Sequence, residues 1–359
     1  MFLEFLYPLV KYFTPLNVIQ YLSFRGAYAA ITSLFICFIF GPSIIEALRR
    51  LKIGQAVRDD GPATHLRKDG TPTMGGVFVI LSIVIAMLLW TDFRSEKVWL
   101  VLGALIAFGA IGFVDDYLKV TKHNSDGLPA WAKLVFQFIF ALTIMLILYF
   151  RGQEEITYLY LPFFKDPILD MGVLWIPFGV LLIMAESNAV NISDGLDGLL
   201  AGLLIFVFLT FAILTYLSGH FGFSSFLGIP FIPGAGELTI LCLAITGALI
   251  GFLWFNTYPA EIFLGDVGSL SLGGVVAVIS LIIKKEALVL IIGGVFVLEI
   301  ASVIIQVISV KLRKKRVFNM APLHHHFELA GWAESKVVIR FYILGGLFAI
   351  IALSTLKIQ

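Results

Sequence analysis

The sequence predicts an all-α polytopic integral membrane protein with a single membrane-embedded domain over residues 1–359. Composition is the first observation that predicts this class. Hydrophobic residues make up 59% of the chain, charged residues only 14%, and the mean hydropathy is +0.98, far from the balance of a soluble domain. The second observation is that apolar windows long enough to cross a hydrocarbon core about 30 Å thick recur along the whole chain. Together they exclude a soluble globular protein.

The apolar windows predict about ten transmembrane helices. Residues 1–20 are rich in aromatic side chains and lack a cleavable signal pattern, so they predict an interfacial segment. Cys37 and Cys242 both fall inside apolar windows, which argues against a disulfide framework or a zinc site. The windows lie near 25–46, 74–90, 98–117, 131–150, 171–190, 198–218, 237–255, 266–283, 287–309 and 338–357.

The charges of the connecting loops predict the orientation. With the faces numbered alternately, fourteen Lys and Arg residues fall on one side and nine on the other. The positive-inside rule places the side with fourteen in the cytoplasm and both termini outside. The near-zero overall charge of +1 conceals this asymmetry, and we expect no nucleic-acid partner.

Five loops on the predicted cytoplasmic side contain nearly all the acidic, His-rich and Gly-rich motifs. A purely structural protein has no reason to segregate ligand-type residues in this way. We therefore predict one cytoplasmic active site built from five loops, of which 311–337 is a basic, His-containing loop. The five loops are Gln55–Gly76, Asp115–Lys122, Asn188–Leu199, Asn256–Asp266 and Lys311–Val337.

The most informative loop is Asn188–Leu199, NAVNISDGLDGL. Asn188, Asn191, Asp194 and Asp197 recur every three residues, which on helical or turn geometry places them along one side. Such a cluster suits a charged ligand or a metal. The alternative is a capped helix junction, in which Asp194 or Asp197 accepts hydrogen bonds from the first N–H groups of the next helix.

Two further acidic motifs point to a cation. Asp115 and Asp116 lie at the end of an apolar window, with Lys119 four and three residues on, so a continuing helix brings the lysine to both carboxylates. The repulsion between adjacent carboxylates is relieved by Mg²⁺, by lysine or by protonation of one acid. Asp266 follows a glycine at a helix start and offers a hard oxygen ligand for Mg²⁺. The alternatives are intrahelical ion pairs for the first motif and an N-cap for Asp266.

The run His324, His325 and His326 does not fit a zinc site, because three consecutive side chains cannot converge on one ion from a regular helix or strand. Phosphate contact or proton transfer fits better, with a structural histidine run as the alternative. The first loop, with Lys68 and Thr73, resembles an anion cradle that runs into a helix start. It lacks the Walker A order of residues, and a flexible loop is the alternative.

Glu299 falls in the middle of an apolar window, where an isolated carboxylate is costly and is a functional suspect by default. We favour a structural role, because no acidic or basic partner is evident in the same window. Glu299 is also the best argument for a secondary transporter, since transporters place coupling acids near the membrane midplane. The other acids lie at the cytoplasmic rim and no internal repeat is visible, which argues against transport.

At this point the residues carry a resemblance that covers nearly the whole chain. Five sequence blocks, one in each predicted cytoplasmic loop, occur in the order and on the face found in the polyprenyl-phosphate N-acetylhexosamine-1-phosphate transferase superfamily. The loop ending in MAPLHHHFELAGW resembles that of the bacterial phospho-N-acetylmuramoyl-pentapeptide transferases in particular. Ala333 departs from the pattern, because a proline is expected there. The blocks are GPATHLRKDGTPTMGG, the Asp pair with its lysine, NAVNISDGLDGL, FLGDVGSL and RVFNMAPLHHHFELAGW.

The resemblance implies transfer of phospho-MurNAc-pentapeptide from UDP-MurNAc-pentapeptide to undecaprenyl phosphate, which gives lipid I and UMP and requires Mg²⁺. It implies a multi-pass protein of the bacterial cytoplasmic membrane with the active site on the cytoplasmic face. It is also compatible with a homodimer. Two other functions are weighed against it. One is a transferase that uses UDP-N-acetylglucosamine, which would differ mainly in the ninth loop, and the other is the secondary transporter.

The resemblance also implies roles for particular residues. Asp266 resembles the Mg²⁺ ligand, with Asp115 and Asp116 as further metal-binding and catalytic candidates, and His324 resembles the essential histidine. Phe263 offers an aromatic face for uracil. The remaining candidates for substrate binding, which include the uridine and pyrophosphate pocket, are Lys68, Thr73, Lys119, Lys122, Asn188, Asn191, Asp194, Asp197, Asn256, His325 and His326.

Overall fold

The computed structural model describes residues 7–51, 70–122, 127–152 and 154–357, and it is almost entirely helical over these ranges. Short 3-10 helices over Tyr7–Lys11 and Thr14–Gln20 precede the first long helix. The α-helices are α1 (Leu22–Arg50), α2 (Gly75–Trp90), α3 (Glu96–Lys122), α4 (Ala130–Arg151), α5 (Trp175–Ile192), α6 (Leu199–Ser218), α7 (Phe221–Leu227), α8 (Gly236–Asn256), α9 (Gly265–Ile282), α10 (Val289–Ile292), α11 (Gly294–Arg313), α12 (Leu323–Leu329) and α13 (Glu334–Ser354).

The ten apolar windows of the sequence correspond to ten of these helices. In the described ranges, nine helices are long and apolar enough to span a membrane, and α2 is a shorter apolar helix of 16 residues. The predicted all-α membrane fold is therefore confirmed. The orientation of the helices relative to the cytoplasm stays a prediction from loop charge.

The helix α9 forms the centre of the bundle. Its apolar window is 89% buried, whereas the windows of α1, α4 and α11 are each 28% buried. It packs against α3 on one side and α5 on another, while α8 packs between α1 and α6. The residues at the two ends of α9 are thus surrounded by other helices, and Asp266 at its first turn lies inside the bundle rather than on the lipid face.

The window at 287–309 differs from the prediction of one continuous span. The chain forms α10, breaks at Gly293 and resumes as α11. Two consecutive glycines weaken a helix at this point. A side chain at Gly294 would lie 2.7 Å from the Phe348 ring of α13, so the close packing of α13 explains why glycine stands here. The predicted loop 311–337 also contains a short helix, α12.

The other end of the bundle carries a two-stranded antiparallel hairpin, β1 (Tyr158–Leu159) with β2 (Leu169–Asp170), in the connection from α4 to α5. A buried ion pair lies beside it, just after α9. Lys284 Nζ lies 2.5 Å from Glu286 Oε1 and donates to the Ile156 carbonyl at 2.7 Å, and Trp175 Nε1 donates to the same carboxylate at 3.3 Å. Neighbouring elements thus hydrogen-bond to the ammonium group of Lys284 and to Oε1 of Glu286.

Candidate active site

Three carboxylates converge where α3 ends and α9 begins. The carboxylate oxygens of Asp115, Asp116 and Asp266 lie within 4.8 Å of one another. Asp115 and Asp116 are buried, and Asp266 is partly exposed. Two backbone N–H groups also reach the aspartate pair, Leu128 to Asp115 Oδ1 at 2.9 Å and Val267 to Asp116 Oδ2 at 3.3 Å. The structure thus brings together the three acids that the sequence assigned to a metal site.

Glycines allow this close approach. A side chain at Gly112 of α3 would collide with the backbone of Asp266. Gly265 has a φ of +74°, a conformation that favours glycine, and a Cβ there would lie 2.5 Å from Asp116 Oδ2. Small residues let membrane helices approach closely. The glycines at 112 and 265 therefore set the distance between the aspartate pair and Asp266.

Two lysines share the three carboxylates. Lys119 Nζ lies 2.6 Å from Asp115 Oδ2, 3.8 Å from Asp116 Oδ1 and 3.0 Å from Asp266 Oδ2, so the expected pairing with both carboxylates of the aspartate pair is confirmed. Lys133 of α4 lies 2.7 Å from Asp266 Oδ2 and 3.2 Å from Asp115 Oδ2. Sequence reasoning missed Lys133, although a single lysine inside an apolar window is itself a signal of function.

The polar residues at 188 and 191 lie on the last two turns of α5 rather than in a loop. Asn191 Nδ2 donates to Asp266 Oδ1 and to Ser269 Oγ, each at 2.8 Å. Asn188 Nδ2 donates to Gln137 Oε1 of α4 at 2.8 Å and to the Met184 carbonyl at 2.7 Å. Asn191 therefore orients Asp266, and Asn188 ties α5 to α4.

The connection from α5 to α6 contains the two aspartates. The Asp197 N–H donates to Glu334 Oε1 and its Oδ2 accepts from the Ala260 N–H, both at 2.9 Å. Asp197 therefore links the connection that precedes α9 to the start of α13. No side chain caps the N-terminus of α6. Burial, then the charges of Asp266 and Asp197, raise the pKa of Asp194 to about 7. Asn188, Asn191 and Asp197 thus have three different hydrogen-bond partners, and Asp194 lies close enough to Asp266 and Asp197 to be affected by their charges.

The segment before α2 is pinned to the connection between α8 and α9. The Gly75 N–H donates to the Phe263 carbonyl at 2.9 Å, the Gly76 N–H to the Leu264 carbonyl at 2.8 Å, and the Phe263 N–H to the Pro72 carbonyl at 2.8 Å. The N–H groups of Gly75 and Gly76 therefore do not form part of the expected anion cradle, because they already donate to backbone carbonyl oxygens. Lys68 and the rest of that loop, residues 52–69, lie outside the described residues.

Four further candidate residues differ in how far their side chains are exposed to solvent. Thr73 is buried, and its Oγ1 would lie 3.0 Å from a Cβ placed on Gly265. Asn256 is buried and its Nδ2 donates to the Ile262 carbonyl at 2.8 Å, so it holds the turn that presents Phe263. The Phe263 side chain is half-buried, and Lys122 is exposed at the end of α3. Only Phe263 and Lys122 of these four are accessible.

The three histidines face three different directions. His324 is fully buried, and its Nδ1 lies 3.2 Å from Glu299 Oε1. His325 Nδ1 lies 2.8 Å from Glu328 Oε2, and His326 Nδ1 accepts from the Asn319 N–H at 3.1 Å. A Cβ on Gly195 would collide with His324 Nε2. Only His324 thus reaches the connection that contains Asp194, and a shared ligand for all three is excluded.

The carboxylate cluster fits a divalent cation. The cluster contains one more carboxylate than ammonium group, and all the ligand atoms are hard oxygens of the kind that Mg²⁺ prefers. Both lysines contact the same two oxygens, Asp115 Oδ2 and Asp266 Oδ2, so positive charge is concentrated beside the atoms that could hold a cation. The arrangement suits charge neutralisation at a phosphate.

Comparison with known proteins agrees with this geometry. A family model described as glycosyl transferase family 4 matches residues 98–284, which include Asp115, Asp116, Asp266 and Lys133. The chain is 47% identical to the phospho-N-acetylmuramoyl-pentapeptide-transferase of Thermodesulfovibrio yellowstonii, 49% identical to that of Syntrophus aciditrophicus and 48% identical to that of Citrifermentans bemidjiense. Each alignment covers 100% of both chains. The chain therefore belongs to the phospho-N-acetylmuramoyl-pentapeptide-transferase family.

Proposed function

We propose that the protein transfers phospho-MurNAc-pentapeptide from UDP-MurNAc-pentapeptide to undecaprenyl phosphate, which yields lipid I and UMP. The observation that carries the proposal is the cluster of Asp115, Asp116 and Asp266 with Lys119 and Lys133 at the start of α9. It lies in a chain that aligns over its whole length with transferases of that name. This is the first membrane step of peptidoglycan synthesis.

The reaction brings two anions together. An oxygen of the lipid phosphate forms a bond to the phosphorus that bears the sugar, and the pyrophosphate bond to UMP breaks. Catalysis of such a transfer comes mainly from positioning and charge neutralisation. Lys119 and Lys133 supply two positive charges within 3.2 Å of the acids that border the site. The aspartate pair is placed to accept a proton from, or to orient, the lipid phosphate.

Mg²⁺ is the cofactor that the donor set favours, and Asp115, Asp116 and Asp266 would hold it. When bound, it neutralises charge on the pyrophosphate oxygens and on the leaving UMP. Asn191 keeps the Asp266 carboxylate oriented through its hydrogen bond to Oδ1. His324 is the candidate for proton transfer or phosphate contact, and Phe263 for stacking on uracil. The other substrate-binding assignments, including Lys68, Lys122 and His325, stay predictions.

The site is proposed to lie at the cytoplasmic surface of the bacterial inner membrane. One substrate is soluble and the other is membrane-bound, so the reacting phosphates must meet at the interface. The loop charges predict that this end of the bundle faces the cytoplasm. A reporter fused after Gln359 should then appear outside the cytoplasm, and a cytoplasmic signal would contradict the topology. The homodimer also stays a prediction.

The transfer assay separates this function from its alternatives. Purified protein should convert radiolabelled UDP-MurNAc-pentapeptide and undecaprenyl phosphate to a lipid-linked product, EDTA should abolish the reaction and added Mg²⁺ should restore it. UDP-N-acetylglucosamine should give no product. Transfer from UDP-N-acetylglucosamine alone would support the other sugar-phosphate transferase. Glu299, the best argument for a transporter, is not an isolated carboxylate, because its Oε1 lies 3.2 Å from His324 Nδ1 and its Oε2 accepts from the Leu323 N–H.

A further inference from the structure

Three side chains on one face of α11 hydrogen-bond to the backbone of the His-containing loop 311–337. Ser309 Oγ donates to the Lys315 carbonyl at 2.9 Å. Gln306 Oε1 accepts from the N–H groups of Val317 and Phe318, both at 3.0 Å. Glu299 Oε2 accepts from the Leu323 N–H at 2.7 Å. The three side chains lie seven and three residues apart, which places them on one face of the helix.

Glu299 differs from the other two because it also reaches a histidine. Its Oε1 lies 3.2 Å from His324 Nδ1, and both side chains are buried. The ring is at ion-pair distance without hydrogen-bond alignment, and no described residue hydrogen-bonds to His324 Nε2. Hydrogen bonds of catalytic groups are often long or poorly aligned before substrate binds and tighten afterwards. The Glu299 carboxylate is thus committed to His324 on one oxygen and to the backbone on the other.

We infer that Glu299 is a positioning residue that holds the His324 ring with its proton on Nδ1 and its Nε2 toward the connection that carries Asp194. The inference rests on the proposed function and deepens it. A carboxylate in a membrane span is costly unless it is paired, and the described structure gives Glu299 no other cationic partner. When Nδ1–H faces Oε1, Nε2 carries the lone pair. A carboxylate on the far side of the ring thus fixes the tautomer and the orientation in which Nε2 can accept a proton or a hydrogen bond.

The direction of Nε2 supports this role. A Cβ on Gly195 would collide with that atom, so the ring edge lies directly against the connection that carries Asp194. His326 lacks this arrangement, because its Nδ1 accepts from the Asn319 N–H. His325 also has a carboxylate at Nδ1, but that carboxylate is Glu328 of the same short helix. His324 therefore differs from His325 in two ways: its carboxylate comes from a different helix, α11, and its Nε2 lies against Gly195.

The test is Glu299→Gln, which keeps an oxygen acceptor for the Leu323 N–H but removes the negative charge. We expect kcat to fall by about 10- to 100-fold, the scale for removing the outer partner of a functional histidine, while KM and the melting temperature stay close to the wild-type values. Gln306→Ala is the matched control, because it removes a loop contact of the same helix face without touching His324. Equal losses of kcat in both variants would show that Glu299 only anchors the loop backbone, as Gln306 does, and would overturn the inference.

A double-mutant cycle with His324→Ala makes the test specific. Glu299→Gln should change kcat by less than about twofold in the His324→Ala background, since the histidine it positions is gone. An equal loss in both backgrounds would overturn the inference. Full activity of His324→Ala would also overturn the inference, whereas no transfer by the wild-type protein would instead refute the proposed function.

A spectroscopic readout keeps the inference falsifiable if Glu299→Gln does not fold. In wild-type protein labelled with ¹⁵N-histidine, the His324 signal is assigned by its loss in His324→Gln. The neutral ring should be protonated on Nδ1. A neutral ring protonated on Nε2 would overturn the inference. This measurement uses no substrate, so it is independent of whether the proposed transfer occurs.

Discussion

Both ends of α9 carry lysines paired with carboxylates, but the two clusters differ in how far their side chains are exposed. At the first turn, Asp266 and the aspartate pair share Lys119 and Lys133, and the lysine side chains keep 33% and 18% of their surface exposed. At the far end, Lys284 and Glu286 keep 3% and 0% exposed. Lys284 and Glu286 pair with each other and are capped by Trp175 and the Ile156 carbonyl, and a second buried lysine, Lys285, lies beside them.

The difference lies in charge balance and access. An excess of carboxylate beside partly exposed lysines leaves a place for a cation and for anionic phosphates. A matched pair inside the bundle leaves no place for either, and it joins α9 to the hairpin segment. The comparison predicts that substitutions at the first end affect catalysis, and that substitutions at the second end affect stability.

The largest effect should come from Asp266→Asn. Loss of a ligand carboxylate from the cluster should lower transfer by about 10³-fold or more, measured as lipid-linked product per minute. The variant should stay folded, because the asparagine is isosteric. Glu286→Gln at the other end of α9 is the matched control and should keep its turnover per folded molecule. Substantial transfer by Asp266→Asn would remove this residue from the metal site.

Glu286→Gln should instead destabilise the protein. It leaves Lys284 buried without its charged partner, which typically costs about 3–5 kcal/mol, and the thermal unfolding midpoint in detergent should fall accordingly. The double variant Lys284→Met with Glu286→Gln removes both charges and should recover part of the loss. An unchanged midpoint for Glu286→Gln would show that the far pair contributes little.

Lys133→Met tests the lysine that the sequence analysis overlooked. Removal of one of two ammonium groups should lower kcat by about 10- to 100-fold, because charge neutralisation is the main source of catalysis in phosphoryl transfer. Lys97→Met, at the far end of α3, is the control and should leave kcat unchanged. Equal kcat values for Lys133→Met and the wild type would confine Lys133 to a structural ion pair.

The smallest effect concerns Asp194. Its pKa of about 7 in the folded protein exceeds the value near 4 of an unfolded chain. The native state therefore binds the extra proton between these values, and wild-type stability falls as pH rises through that window. Asp194→Asn removes this cost, so in EDTA its stability relative to wild type should rise from pH 5.5 to 8.5 by about 1 kcal/mol or more.

Asp170→Asn is the control for the sign of this effect. Thr157 and the Gly172 N–H hydrogen-bond to the Asp170 carboxylate and lower its pKa, so its removal should give no relative gain with rising pH. A gain for both variants, or for neither, would contradict the pKa assigned to Asp194.

Much of this arrangement could be predicted from the sequence, because hydropathy fixes the spans and the loop motifs mark one end. The ten windows and the meeting of Asp115, Asp116 and Asp266 are of this kind. Contacts between distant helices could not be predicted. Lys133 was counted as part of an apolar window, and Glu299 was judged without a partner because its partner, His324, lies in another segment. The two glycines at 293 and 294 mark the helix break locally, but the packing of Gly294 against Phe348 of α13 is a contact that no local pattern reveals.

The four polar residues of NAVNISDGLDGL show the same limit. Their spacing of three residues suggested one common face, but α5 ends at Ile192 and the chain direction changes there. Asn191 then meets Asp266 while Asp197 meets Ala260. A periodic pattern predicts a shared face only as long as the helix continues.

The most direct test of the central claim is cation binding at the first turn of α9 without substrate. Mn²⁺ titrated into the purified protein and followed by electron paramagnetic resonance should bind at one site, and Mg²⁺ should displace it. Binding should be lost in Asp266→Asn and retained in Glu286→Gln. Undiminished binding to Asp266→Asn, or no binding to the wild-type protein under conditions that support transfer, would contradict the account.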